Sequence, residues 1–174
     1  MNGPAVEPLS MLTRIASLVR VTSMIRALVD TNVLFDYLTG REPFYAPARK
    51  LMIFANMGDY ELWMSSSQMV DLISLLSPGG GMERTAAETS IRKLRRVVRV
   101  CTIGADEVDK ALESQWSDFE DALVYQAATS VGARCIVTRN ECDFALSSIP
   151  VFDCDGFFKW MEEKSHLSYE LVDL

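Results

Sequence analysis

Apolar positions along this chain switch between two spacings, and each switch is marked by a glycine, a proline or a polar cap. Ala27-Leu28-Val29 is a short continuous apolar run, the pattern of a strand covered on both faces. It ends at Asp30. Thr31-Asn32 then opens a helix in which Val33, Leu34, Tyr37 and Leu38 recur at helical spacing, and Thr39-Gly40 stops it. Pro43 suits the first turn of a second helix, whose apolar positions run through Ala46, Leu51, Ile53, Phe54 and Met57 to a stop at Gly58. Leu62-Trp63-Met64 reads as a second strand. Ser65-Ser66-Ser67 supplies N-caps for a helix over 68–76, which Pro78 and the glycines at 79–81 terminate.

The alternation continues to the end of the chain. A helix from Glu83 to about Arg96 leads into a strand over 97–102, where β-branched residues alternate with Arg99 and Cys101. Gly104-Ala105-Asp106 restarts a helix to about Glu113, and another begins near Ser117 and runs to a Gly132 stop. Cys135 to Thr138 is the next buried strand, Pro150 to Phe152 a short last one, and Phe157, Phe158 and Trp160 lie on a closing helix. Strands alternating with crossover helices predict an α/β protein. The expected form is a three-layer α/β/α sandwich with a mostly parallel sheet of about five strands. The glycines at 79–81 read as a hinge or loop, since no GxGxxG or Walker spacing surrounds them.

Length and composition agree with one domain: 174 residues, 49% hydrophobic and 24% charged, can bury a full core. Residues 24–164 are assigned to it. Residues 1–23 are expected to be an N-terminal extension or a misassigned start, because Met24 stands directly before the first strand, with a functional arm that packs on a partner as the alternative, and residues 165–174 a C-terminal tail. Arg14 and Arg20 interrupt the apolar run over 11–21, so a signal peptide and a membrane span are both excluded as readings. Cys101, Cys135, Cys142 and Cys154 form no CxxC pair, which points to reduced thiols in a cytoplasm rather than a zinc site or disulfide framework. A net charge of -7 argues against a protein coated for nonspecific nucleic-acid binding. The one concentrated basic patch, Arg92, Lys93, Arg95, Arg96 and Arg99, is either a solvated helix face or a candidate RNA contact.

The candidate chemistry is acidic. Asp30 follows the first strand, Asp71 lies early in the helix after the second, Asp118 and Asp121 open a helix at i, i+3 spacing, and Asp143 comes just after the strand ending at Thr138. All are expected at the sheet end where strand C-termini meet helix N-termini. Carboxylates converging there without intervening histidine or arginine would repel one another unless a cation compensates them. Oxygen donors alone select Mg²⁺ or Mn²⁺, and such sites activate water and steady the charge on a phosphodiester. His166, the sole histidine, lies in the polar tail. Taken singly, each acid could be no more than a helix cap or a solvated side chain.

In order, VDTNVL around Asp30, SSSQMVDLISLL around Asp71, DFEDALVYQAA around Asp118 and Asp121, and IVTRNECDF through Asp143 resemble a PIN domain. The likeness extends from about Met24 to near Trp160. It implies a small α/β sandwich and a Mg²⁺- or Mn²⁺-dependent endoribonuclease of the kind found as the toxin of VapC-like toxin-antitoxin pairs. It also implies a tendency to dimerise and inhibition by a small antitoxin. Carried over, Asp30 is the first metal-binding acid and Asp121 the third, with Asp118 as companion. Asp71 stands where many members have glutamate, one methylene longer. Asn140 stands where some carry a fourth acid, which leaves Asp143 as its substitute. Thr31, Asn32 and Thr138 are expected to orient Asp30 or a water on the cation. Two other readings are open: a catalytically weak RNA-binding or interaction module, and a haloacid-dehalogenase-type phosphatase with Asp30 as nucleophile. Asn32 in place of that family's second acid weighs against the last.

Overall fold

A computed structural model describes residues 24–77, 82–165 and 168–170. The readings for residues 1–23, the glycines at 79–81 and His166 lie outside the described residues. The strands are β1 (Arg26–Val29), β2 (Glu61–Ser65), β3 (Val98–Cys101), β4 (Cys135–Val137) and β5 (Val151–Phe152). The helices are α1 (Thr31–Thr39), α2 (Tyr45–Met57), α3 (Ser66–Leu76), α4 (Arg84–Leu94), α5 (Ala105–Leu112), α6 (Phe119–Ser130) and α7 (Cys154–Ser165), with a 3₁₀ turn at Glu141–Phe144. Every strand pairing is parallel, in the order β3-β2-β1-β4-β5.

Alternation along the central strands divides the core between the two faces. Ala27 and Val29 of β1 and Cys135 and Val137 of β4 point into one cluster with Leu34 of α1, Leu51 of α2, Leu72 of α3 and Phe157 of α7. Leu28 and Ile136 point the other way, against Val124, Ala127 and Ala128 of α6 and against Phe144. Strands this deeply buried need apolar side chains on both faces, and for that reason β1 and β4 read as unbroken runs rather than alternating ones. Among the described residues, no helix is long and apolar enough to cross a membrane.

Element ends follow the local chemistry closely. Gly40 and Gly58 close α1 and α2 with φ of 66° and 87°, left-handed conformations that a side chain would strain. Pro43 falls in the turn before α2 rather than in its first turn. That helix buries Ala48, Leu51 and Met52, while Ala46 faces solvent. Ser65 caps α3 in a reciprocal box with Gln68: Gln68 N–H donates to Ser65 Oγ at 3.1 Å, and Ser65 N–H donates to Gln68 Oε1 at 2.8 Å. Tyr169, in the stretch set apart as a tail, is buried with its ring against Phe54 and Phe158.

The chain leaves β1 for β2 and β3 on one side and returns to β4 and β5 on the other, so the order reverses between β1 and β4. A crevice opens at such a reversal, above the C-terminal ends of the strands. Gln68, fully buried, ties α3 to that point by donating from Nε2 to the Val29 carbonyl at 3.0 Å. Gln68→Leu would strand both that carbonyl and the Ser65 N–H in the core, at about 1–3 kcal/mol for each unpaired group. The urea unfolding midpoint should fall accordingly; an unchanged midpoint would show that this link does not hold α3 to β1.

Candidate active site

Asp30 is the residue that β1 delivers into the crevice, and its own N–H extends the β1–β4 pairing by donating to the Val137 carbonyl at 2.9 Å. It is 8% exposed. Three donors hold its carboxylate: Thr31 N–H on Oδ1 at 2.6 Å, and Asn32 Nδ2 and Thr138 Oγ1 on Oδ2 at 2.6 and 2.7 Å. Asn32 Nδ2 also reaches Thr138 Oγ1 at 3.1 Å, and the Asn140 N–H donates to the same hydroxyl at 3.0 Å. The loop after β4 is thereby stitched to the start of α1 around one carboxylate. Thr31, Asn32 and Thr138 are thus the residues that donate to Asp30. Burial raises the Asp30 carboxyl above its ordinary range, against the lowering effect of the Thr138 and Thr31 hydrogen bonds.

A cavity of about 380 Å³ lies over this point, lined by Asp30, Thr31, Asn32, Phe35, Arg41, Leu75, Asp118, Glu120, Asp121, Arg139, Asn140 and Asp143. Four of the five expected acids therefore border one space. The fifth, Asp71, does not; on its helix the wall is made by Leu75, one turn further on. Asp71 is still close enough for its charge to raise the Glu120 carboxyl, after burial the largest cause of that shift. Asp118 also has a structural duty as the α6 cap: its Oδ1 accepts from the N–H groups of Glu120 and Asp121 at 2.7 and 3.4 Å.

The structure adds groups that the sequence reading passed over. Glu120 joins the wall from inside the DFED run, where i, i+3 spacing selects Asp118 and Asp121 and passes over the glutamate between them. Arg41 and Arg139 also border the cavity, so the acids are not free of arginines as expected. Arg139 is fastened by Asp36, 1% exposed, whose two carboxylate oxygens accept from Nη1 at 2.9 and 2.7 Å. The Arg92, Lys93, Arg95 and Arg96 cluster lies elsewhere. Arg95, Arg96 and Arg99 line a separate hollow with Met24, Gly58 and Tyr60, residues that precede β1 and β2. In a parallel sheet that is the end opposite the carboxylates.

Among the described residues, no three acidic, cysteine or histidine side chains draw together closely enough to cage an ion. The donor set nevertheless suits a hard cation. Mg²⁺ keeps several of its waters and needs only one or two carboxylates from the protein. Thr31 Oγ1, on a residue 6% exposed at the cavity wall, is buried without a hydrogen-bond partner. Burial, reinforced by Asp118, Asp30, Asp143 and Glu120, pushes the Asp121 carboxyl from 3.8 up to about 7. A cation would relieve that repulsion, and Asp30, Asp121, Glu120 and Asp143 are carboxylates that border the space it would occupy.

The family model for the PIN domain matches residues 26–141. Among solved structures, the fold is similar to VapC20 from Mycobacterium tuberculosis, described as a toxin cleaving the sarcin-ricin loop. That match has a TM-score of 0.50 and 19% identity over 63% of this chain and 86% of the other. It is also similar to a toxin-antitoxin complex from Klebsiella pneumoniae, with a TM-score of 0.54 and 21% identity over 74% of this chain and 97% of the other. VapBC2 from Rickettsia felis, bound to a promoter DNA fragment, gives a TM-score of 0.57 and 13% identity over 74% and 98%. At these identities the likeness speaks for the fold alone. No curated protein sequence matches the chain.

The raised Asp121 carboxyl has a measurable consequence. Between pH about 4 and about 7 the folded protein keeps a proton that the unfolded chain has lost. The unfolded state then binds fewer protons, so stability falls as pH rises through that window. Metal-free protein should lose thermal stability from pH 4.5 to 7.5, and Mn²⁺ should restore it at pH 7.5 but not at pH 5. Asp121→Asn should flatten the profile; equal pH dependence in that variant would locate the titration elsewhere.

Proposed function

The chain belongs to the PIN domain family, and from that premise we propose that it is a Mg²⁺- or Mn²⁺-dependent endoribonuclease, the toxin of a toxin-antitoxin pair. The observation that carries the reading is the meeting of Asp30, Asp118, Glu120, Asp121 and Asp143 around one cavity at the sheet's reversal point. When bound there, a divalent cation supplies positive charge that lowers the pKa of water and offsets charge building on the phosphate and leaving oxygen.

The chain's own residues provide position. Asp30 is locked by Thr31, Asn32 and Thr138, so its remaining lone pairs face a fixed direction and no reorganisation is needed when substrate arrives. Glu120 and Asp121 are carried by the first turn of α6. Asp143 comes from the 3₁₀ turn after β4, on the other side of Asp30 in the chain's path. With carboxylates from three separate elements, the site could hold a divalent cation, and that cation's charge is what would attract a phosphodiester. Phe35 and Leu75 supply apolar wall against which a ribose or base can lie.

A small antitoxin and a second copy of the chain belong to the same reading as partners. The supporting observations are the Klebsiella pneumoniae toxin-antitoxin complex that shares this fold and the exposed Val70 and Ile73 on α3, 64% and 37% accessible, apolar groups that a protein surface would cover. A cytoplasmic setting, where RNA and antitoxin would both be met, completes it.

The position of Asp71 outside the cavity wall favours a second reading, a catalytically weak RNA-binding module. One assay separates the two. Purified protein should cleave single-stranded RNA with Mn²⁺ or Mg²⁺, EDTA should abolish the cleavage, and Asp30→Asn or Asp121→Asn should reduce it by about 10²-fold or more, the scale of losing one preorganised electrostatic group. RNA that is bound and never cut would leave the module. Asp71→Glu adds the missing methylene and should raise kcat several-fold at fixed Mn²⁺; no gain would mean that Asp71 stands outside the chemistry.

A further inference from the structure

Five carboxylates line the cavity, and a polyanion must enter it. A divalent ion offsets only part of that charge, so further cations are needed along the approach. Arg41 and Arg139 are the basic side chains in the wall, and they are organised as a pair. The buried Asp36 holds Arg139 through Nη1 at 2.9 and 2.7 Å and stands 3.8 Å from Nη1 of Arg41. Phe44 lies beneath both, its ring centroid 4.5 Å from the Arg139 guanidinium carbon and 5.8 Å from that of Arg41. The Arg139 N–H donates to Asn32 Oδ1 at 3.2 Å, and Asn32 holds Asp30, so the arginine's position is tied to the central carboxylate.

Neutralising Asp36 requires one arginine, and two are present. The trio therefore keeps a net positive charge at the edge of an acidic cavity. Asp36 engages only Nη1 of each guanidinium, and Nε and Nη2 of both have no partner among the described residues. Both side chains reach solvent, Arg139 26% and Arg41 52% exposed. Guanidinium groups with free parallel N–H donors, Arg139 fixed by a carboxylate and an aromatic ring and Arg41 held more loosely by the same two groups, match phosphate oxygens in shape and charge.

We infer that Arg41 and Arg139, held by Asp36 and Phe44, bind backbone phosphates of the RNA next to the phosphate at the carboxylates and set the strand's register there. The inference rests on the nuclease reading and adds positioning residues to it. The test is steady-state RNA cleavage in Mn²⁺ together with binding of a single-stranded oligoribonucleotide in Ca²⁺ across a salt series. Arg41→Gln, a change at an exposed side chain, should raise KM about tenfold with kcat within twofold. It should also reduce the slope of log K against log salt by about 0.7, the value for one phosphate contact on a single strand. Arg139→Gln should do the same, and Arg139→Lys should recover the slope. Arg84→Gln, on exposed α4 surface, should change neither quantity. Should Arg139→Gln fail to fold, Arg41→Gln still decides the matter. Wild-type protein that cuts RNA alongside an Arg41→Gln variant with unaltered KM and salt slope overturns this inference alone. Wild-type protein that neither cuts nor binds RNA overturns the nuclease reading and this inference with it.

Discussion

A carboxylate buried at the end of a central strand is the constraint around which the rest of this molecule is arranged. Asp30 cannot be charged at that depth without donors, and each of its three donors comes from a segment that must be held in place for the purpose. Thr31 and Asn32 require α1 to start immediately. Thr138 requires β4 to lie beside β1 in register, which the pairings Ala27 with Cys135 and Val29 with Val137 secure. The reversal of strand order thus does two things at once: it opens the crevice, and it brings the hydroxyl of one strand's end to the carboxylate of its neighbour.

The acids around Asp30 repel one another, and the fold counters this with position rather than with direct ion pairs. Asp118 is satisfied by two backbone N–H groups at the start of α6, where the helix dipole also favours negative charge. Glu120 and Asp121 occupy the same first turn. Arg139 acts on Asp30 only as a minor lowering cause and makes its direct ion pair elsewhere, with Asp36 behind the wall through two short contacts. A direct pairing of Arg139 with Asp121 would stabilise the apo protein and close the cavity to a metal. The observed arrangement leaves the carboxylates without a direct ion pair among the described residues, and burial together with their mutual repulsion raises carboxyls that a cation would relieve.

Much of this architecture was readable from residue pattern because its determinants are local. The apolar runs of β1 and β4, the glycine stops at Gly40 and Gly58 and the serine caps before α3 each act within a few residues, and each appears where the pattern placed it. The acid set was readable for a related reason: in a parallel sheet every strand end and helix start falls on one side, so order along the chain implies proximity. What escaped depends on distances of a few ångströms between distant segments. Arg139 and Asp36 are over a hundred residues apart, and nothing in either neighbourhood marks them as a pair. Asp71 shows the opposite limit. Its motif and helix were legible, but whether the side chain joins the wall depends on how far α3 stands from the crevice, and Leu75 occupies that position instead.

The basic cluster on α4 shows why charge along a sequence is a poor guide to charge around a site. Arg92, Lys93, Arg95 and Arg96 are concentrated in the chain because the exposed face at the end of α4 admits any polar residue, and cations there also suit the helix's C-terminal dipole. α4 ends at Leu94 and β3 begins at Val98, so the last turn of α4 must lie at the end of the sheet where β3 begins. That is the end away from Asp30. Exposed charges at that end are screened by salt. Arg41 and Arg139, isolated in the sequence, stand in the cavity wall itself, Arg139 only 26% exposed and both beside the Phe44 ring. The cations placed to meet an anion at this cavity are therefore two that lie outside the one concentrated basic patch of the chain.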